Sequence, residues 1–153
     1  MAHVEAFCIS EKKGQVKREQ ARVVLKTEWG MENDAHAGDW HRQISLLAGE
    51  SIDNVKKVMP TLKKGAFAEN IITRGLDLCS LKIGDRLRVG KEVILEITQI
   101  GKECHNQGCA IKKATGDCIM PREGLFARVI QGGEARAGDP LTAEATSTNP
   151  DET

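Results

Sequence analysis

Tyrosine is absent from the 153 residues, and the two Trp and three Phe bring aromatics to only 3%. Binding of single-stranded nucleic acid leans on aromatic stacking platforms, so the sequence argues against that partner. An excess of one charge is missing too. Lys and Arg number 22, Asp and Glu number 22, and the formal net charge is +0. A general grip on a phosphate backbone needs a basic surplus. No run approaches the ~20 apolar residues of a membrane-spanning helix. The start, MAHVEAFCISEKK, lacks a basic segment followed by a long apolar one, so it does not read as a secretory signal. The expectation is a cytoplasmic protein with no membrane partner. Five cysteines, Cys8, Cys79, Cys104, Cys109 and Cys118, are an odd and scattered set, a poor disulfide framework. Thiol chemistry, metal binding or burial are the options left for them.

What is present is a 40% hydrophobic, 29% charged chain whose core is built from Val, Ile, Leu and Ala. HVEAFCIS near the start and ARVVL at 21–25 read as strands. Between them and onward, residues 11–26 carry Lys12, Lys13, Lys17, Arg18, Arg22 and Lys26, read as the solvated face of a hairpin, with a weak pull on anions as the alternative. Residues 44–47 form a short apolar strand. Ser51 is a candidate helix cap, with Ile52, Val55, Val58 and Met59 on one face and Pro60 as the stop. KIGDRLRVG and KEVILEITQIG form a hairpin about Gly90, and GLFARVIQGGEARAGDPL adds a strand, a Gly132–Gly133 turn and a Gly138–Asp139 turn into a last strand. The polar residues 143–153 are expected to be a disordered tail. Many short strands and one helix point to an all-β, barrel-like domain with a short helical insertion.

Two polar loops interrupt this pattern. WGMENDAHAGDWHRQ at 29–43 holds both tryptophans and His36 and His41. Functional loops on a rigid scaffold look like this. Its Asp34, His36, Asp39 and His41 are either a metal-binding set or a hydrogen-bonded loop that positions its own backbone. The second loop, ECHNQGCAIKKATGDCIMPRE, contains Cys104 between Lys102 and His105. Neighbouring cations favour thiolate, the nucleophilic and metal-binding form. Cys104, Cys109 and Cys118 with His105 are alternatively zinc or iron–sulfur ligands, although no C-x2-C pair is present. Arg42, Arg74, Arg122 and Arg128 are candidate anion contacts, since a guanidinium fork suits phosphate and carboxylate. Asn70 is either a satisfied turn side chain or a substrate contact.

Taken in order, DAHAG at 34–38, HRQISLL at 41–47, GAFAENIITRGLDL at 65–78, IGDRLRVG at 83–90, EITQIGKEC at 96–104, GLFARVIQGG at 124–133 and AGDPL at 137–141 resemble the MOSC domain family, named after the C-terminal domain of molybdenum cofactor sulfurase. The resemblance spans roughly residues 3–142 and implies one domain over 1–142. It implies a mainly β fold, a MOSC-type barrel related to the pyruvate kinase β-barrel domain. It also implies that the cysteine after the long hairpin, here Cys104, carries sulfur as a persulfide or ligates molybdenum. His36, His41, Arg42, Asn70 and Arg128 would lie near the same pocket. Molybdopterin carries a phosphate, which Arg42, Arg128 or Lys102 would anchor. The implied function is molybdenum cofactor binding with sulfur carriage on Cys104. The alternatives are a molybdenum-ligating reductase of N-hydroxylated compounds and a Cys104, Cys109, Cys118 metal site. The implied partners are a cysteine desulfurase or other sulfur donor and a molybdoenzyme or molybdopterin biosynthesis protein. The chain lacks the pyridoxal-phosphate desulfurase domain of the eukaryotic sulfurases and the extra N-terminal β domain of the reductases, so no pyridoxal phosphate site is expected in it.

Overall fold

A computed structural model of the chain describes residues 2–12, 17–65, 67, 69–100 and 124–144. Among the described residues are eleven strands, one α-helix and a short 3-10 helix at Leu78–Ser80: β1 (His3–Ile9), β2 (Arg18–Gln20), β3 (Arg22–Lys26), β4 (Gly30–Met31), β5 (Ile44–Ala48), α1 (Gly49–Lys56), β6 (Ile71–Arg74), β7 (Arg86–Val89), β8 (Val93–Ile100), β9 (Leu125–Gln131), β10 (Gly133–Arg136) and β11 (Leu141–Glu144). The mainly β class expected from the sequence is what the chain adopts.

Eight strands form one sheet in the order β11-β7-β8-β9-β5-β6-β1-β2, and three form another in the order β10-β3-β4. Among the described strands only β5 and β6 run parallel, and α1 lies in the connection between them, as a parallel pair requires a crossover. The ladders do not close into a continuous barrel. The start of β1 meets the segment leading into β11 through a His3–Pro140 bridge, with Val4 N donating to Asp139 O and Leu141 N to Ala2 O.

Alternation along the strands sorts side chains onto two faces. Val4, Phe7, Ile44, Leu46, Ile71, Leu95, Ile97, Ala127 and Val129 join Val23, Leu25 and Met31 in the main core between the sheets. On the opposite face Ala6, Cys8, Leu47, Ile72 and Phe126 pack with Ile52 of α1 and with Leu62 and Phe67. The helix begins at Gly49, two residues before the expected cap at Ser51, and Ala48 at its N-cap makes no side-chain cap bond. Gly49 suits that entry because a Cβ there would meet a Glu5 carboxylate oxygen at 2.4 Å. Val58, expected on the buried face, is 64% exposed. The hairpin about Gly90 forms as the alternation predicts, with Arg86 to Val89 paired against Glu96 to Val93. Strand β11 takes in Ala143 and Glu144, the first two residues of the expected tail.

Candidate functional site

The outer face of the large sheet, beyond the edge of the α1 cluster, carries a band of polar groups. Register places it. Gln99 of β8 pairs with Phe126 of β9, and Phe126 pairs with Ser45 of β5. Asn70 N then donates to Ser45 O, and Cys8 N of β1 donates to Asn70 O. Ser10 and Lys17 follow at the entry to β2. The loop between β4 and β5 supplies Asp34, His36, His41 and Arg42 to this band.

Asp34 is the hinge pin of one half. Its Oδ1 accepts from the Lys17 ammonium at 2.7 Å and from Ser10 N at 3.0 Å. Its Oδ2 accepts from Asn70 Nδ2 at 3.1 Å and His36 N at 3.2 Å. Both the Lys17 and Asp34 side chains are 0% exposed. A buried pair of this kind persists only when its remaining valences are filled, and here they are. Lys17 also donates to Ser10 Oγ at 3.2 Å and to His36 Nδ1 at 2.8 Å. An ammonium has no acceptor, so Nδ1 of His36 is unprotonated and a neutral His36 carries its proton on Nε2. The Trp40 indole donates to His36 O at 2.8 Å, fixing the far side of the loop.

Lys17 is held by its neighbours in turn. Its N–H donates to Gly65 O, and a Cβ on Gly65, whose φ is +89°, would stand 1.9 Å from Lys17 O. The turn at Gly65 is gathered by the Glu69 carboxylate, which accepts from Gly65 N and Phe67 N, both at 3.0 Å. Burial pushes the Glu69 carboxyl above the ordinary carboxylate range, against the pull of those backbone N–H groups and Lys17. Asn70 is spent on structure as well. Its Oδ1 accepts from Ser45 N at 2.9 Å, and its Nδ2 donates to Cys8 O at 3.0 Å. The turn reading of Asn70 therefore describes its contacts.

The other half of the band is more open. Arg42 lies 5.3 Å from the centroid of the Phe126 ring, and its Nε donates to Gln99 Oε1 at 3.0 Å. That nitrogen can only donate, which identifies its partner as the amide oxygen. His41 Nε2 lies 2.9 Å from the same oxygen and is therefore the protonated nitrogen of its ring. Thr98 Oγ1 donates to His41 O. The two Nη nitrogens of Arg42 have no partner among the described residues, which leaves a guanidinium edge available to an anion.

Arg128 stands two residues from Phe126 on the same face, but two carboxylates hold it: Nε donates to Glu96 Oε1 at 2.9 Å and Nη1 to Glu28 Oε2 at 2.6 Å. Arg74 is similarly engaged by Asp53 and Glu5, whose carboxylates push its guanidinium further up. The structure thus brings His36, His41, Arg42 and Asn70 to one band, with Arg128 at its border. Cys104, Lys102, His105, Cys109, Cys118 and Arg122 lie outside the described residues. Among the described residues no group of three His, Cys, Asp or Glu could hold a metal ion. Of the two readings of Asp34 and His36, the hydrogen-bonded loop is the one their contacts describe.

Sequence reasoning missed Lys17, Gln43 and Gln99. Reading residues 11–26 as one solvated face holds for Arg18, Arg22 and Lys26, which are exposed, but not for Lys17, which is 1% exposed. The charge run hid the one lysine that a buried aspartate recruits. Gln43, 1% exposed, ties the loop to β9 by accepting from Val129 N at 2.9 Å. No spacing signal marks either glutamine. An open cleft of about 550 Å³ reaches Ser10 and Asp34 from the side of Arg18 and Gln20.

Comparison with solved structures agrees on this architecture. YuaD of Bacillus subtilis superposes with a TM-score of 0.77 at 19% identity, covering 95% of this chain and 97% of that one. YiiM of Geobacillus stearothermophilus gives 0.68 at 18% identity, covering 94% and 75%, and YiiM of Escherichia coli 0.62 at 20%, covering 97% and 72%. These likenesses define the fold. The MOSC domain model matches residues 33–142, well over half of the sequence, and the chain belongs to the MOSC domain family. That family is associated with molybdenum cofactor binding. No curated protein matches the chain significantly. The family match begins at Asn33, so β1 and Lys17, which complete the polar band, stand before it. Among the described residues no helix is long and apolar enough to cross a membrane.

Proposed function

We propose that the polar band binds the molybdenum cofactor or a precursor and that Cys104 carries sulfur as a persulfide. The observation that carries the reading is Arg42. It is fixed by Gln99, lies over the Phe126 ring, and has both Nη nitrogens without a partner among the described residues. That donor set fits the phosphate of molybdopterin, because a guanidinium edge offers two parallel donors to a phosphate. Arg42 would hold the phosphate, and His36 and His41 would contact polar edges of the ligand. Arg128, neutralised by Glu28 and Glu96, would shape the border of the site. When bound, the cofactor supplies a sulfur-accepting metal centre.

Cys8 is a poor candidate for the sulfur carrier. Cys8 is fully buried, and burial first, then the Glu69 and Glu19 carboxylates, push its thiol up to about 12. Cys104 supports the reading by its place in the chain. It follows Ile100, the last residue of β8, by four positions, a reach of at most ~14 Å. Ile100 pairs with Leu125 beside the Gln99–Phe126 pair, at the end of the ladder where Arg42 and His41 sit. Loading conserves electrons. The Cys104 thiolate attacks the terminal sulfur of a donor persulfide, a new S–S bond forms on Cys104, and the donor leaves as its thiolate. A cysteine desulfurase is the donor class, and a molybdoenzyme or molybdopterin biosynthesis protein the recipient.

The test mixes the protein with a cysteine desulfurase and sulfur-labelled cysteine and counts persulfide by mass. Wild type is expected to take up one sulfur and Cys104→Ser none. Equal labelling of the two removes the sulfur-carrier assignment.

A further inference from the structure

Strand β8 should place Gln99 in the core. Val93, Leu95 and Ile97 point inward and are buried, while Ile94, Glu96 and Thr98 are half-buried on the other face. A regular strand would turn Gln99 inward after Thr98. It does not, because the register slips there: Ile97 pairs with Ala127 and Gln99 with Phe126, so two residues of β8 advance against one of β9. This bulge moves Gln99 to the outer face, beside Phe126. Bulges beside functional sites commonly re-aim a side chain in this way. Once there, the single carbonyl oxygen of Gln99 accepts from Arg42 Nε and His41 Nε2 together. The other bulge residue, Thr98, donates to His41 O. Both residues of the bulge therefore hold the same two-residue segment of the loop.

We propose that Gln99 is the positioning residue for anion recognition: its carbonyl oxygen, brought outward by the bulge, holds the guanidinium of Arg42 over the Phe126 ring with its Nη edge presented to an oxyanion. The inference rests on the reading of Arg42 as the anion contact. A neutral amide suits the task. It orients the cation without cancelling its charge, in contrast to the carboxylates of Glu28 and Glu96 that hold Arg128.

The experiment follows the Arg42 Nε–H resonance by nitrogen-15 NMR in the full chain and titrates inorganic phosphate. It compares wild type, Gln99→Leu and Gln99→Glu. Wild type is expected to show a protected Arg42 Nε–H and to bind phosphate. Gln99→Leu is expected to lose that protection and bind about tenfold more weakly or worse, the scale of a lost hydrogen bond to a charged group. Gln99→Glu restores an acceptor oxygen, so the protection returns while phosphate binding stays impaired by the added negative charge. A general packing defect would not separate those two readouts. An unprotected Nε–H in wild type, or unchanged phosphate affinity in a folded Gln99→Leu, overturns the inference. Absence of phosphate binding by wild type overturns the anion reading of Arg42. In that event loss of the Nε–H signal in Gln99→Leu still upholds the orientation by Gln99, and retention of it overturns that too.

Discussion

Replacing Lys17 by Met keeps the length of the side chain and deletes its charge. In the wild type the ammonium lies 2.7 Å from Asp34 Oδ1, with both side chains at 0% exposure. The variant leaves the carboxylate buried with its three remaining donors, Ser10 N, His36 N and Asn70 Nδ2, and no counter-charge. Removing one partner of a buried ion pair costs about 3–5 kcal/mol, against a total stability of about 5–15 kcal/mol for a domain. Urea denaturation reads this directly. With a slope of about 2 kcal/mol per molar, the midpoint should fall by roughly 2 M. The double variant Lys17→Met with Asp34→Asn removes the stranded charge. It should be less destabilised than the two single losses added together, by about 1–3 kcal/mol. A loss below about 1 kcal/mol for Lys17→Met, or additive losses in the double variant, would refute the claim that the pair organises the loop.

Two further outcomes follow from buried groups. The Cys8 thiol, pushed up to about 12, should react with an alkylating reagent at pH 8 on the order of a thousand times more slowly than a free thiol, because so little of it is thiolate. Peptide mapping of the native protein checks this, and rapid labelling of Cys8 contradicts it. Glu69 has a folded-state pKa raised above its ordinary 4.5, so the folded chain holds that proton more tightly than the unfolded chain. Its contribution to stability is then greatest at low pH and declines as pH rises through the folded pKa. The stability of wild type relative to Glu69→Gln should therefore fall as pH increases from about 4.5 towards neutrality. A difference that grows over that window runs against the desolvation argument.

The strands were legible because their cause is local. Alternation in KEVILEITQIG and the glycine after RLRV are enough to place β7 and β8, and the β-branched ARVVL to place β3. The helix start was not legible, since Ser51 looks like a cap, whereas the entry at Gly49 is set by the approach of Glu5 and Arg74 from other strands. The same division runs through the site. His36, His41 and Arg42 are conspicuous in a polar loop, and Asn70 in its motif. Lys17 is one of six cations in sixteen residues, and only the tertiary partner Asp34 distinguishes it. Gln99 sits where alternation predicts a core residue, and a one-residue slip in register is invisible in a single sequence. The expectation for Arg128 as an anion contact had no means of foreseeing that Glu28, one hundred positions away, would engage it.

Equilibrium binding of the molybdenum cofactor to wild type and Arg42→Met tests the central claim most directly. Saturable binding by wild type, weakened about tenfold or more in a variant that remains folded, is the predicted result. No binding by wild type, or equal affinity of the two proteins, would contradict it.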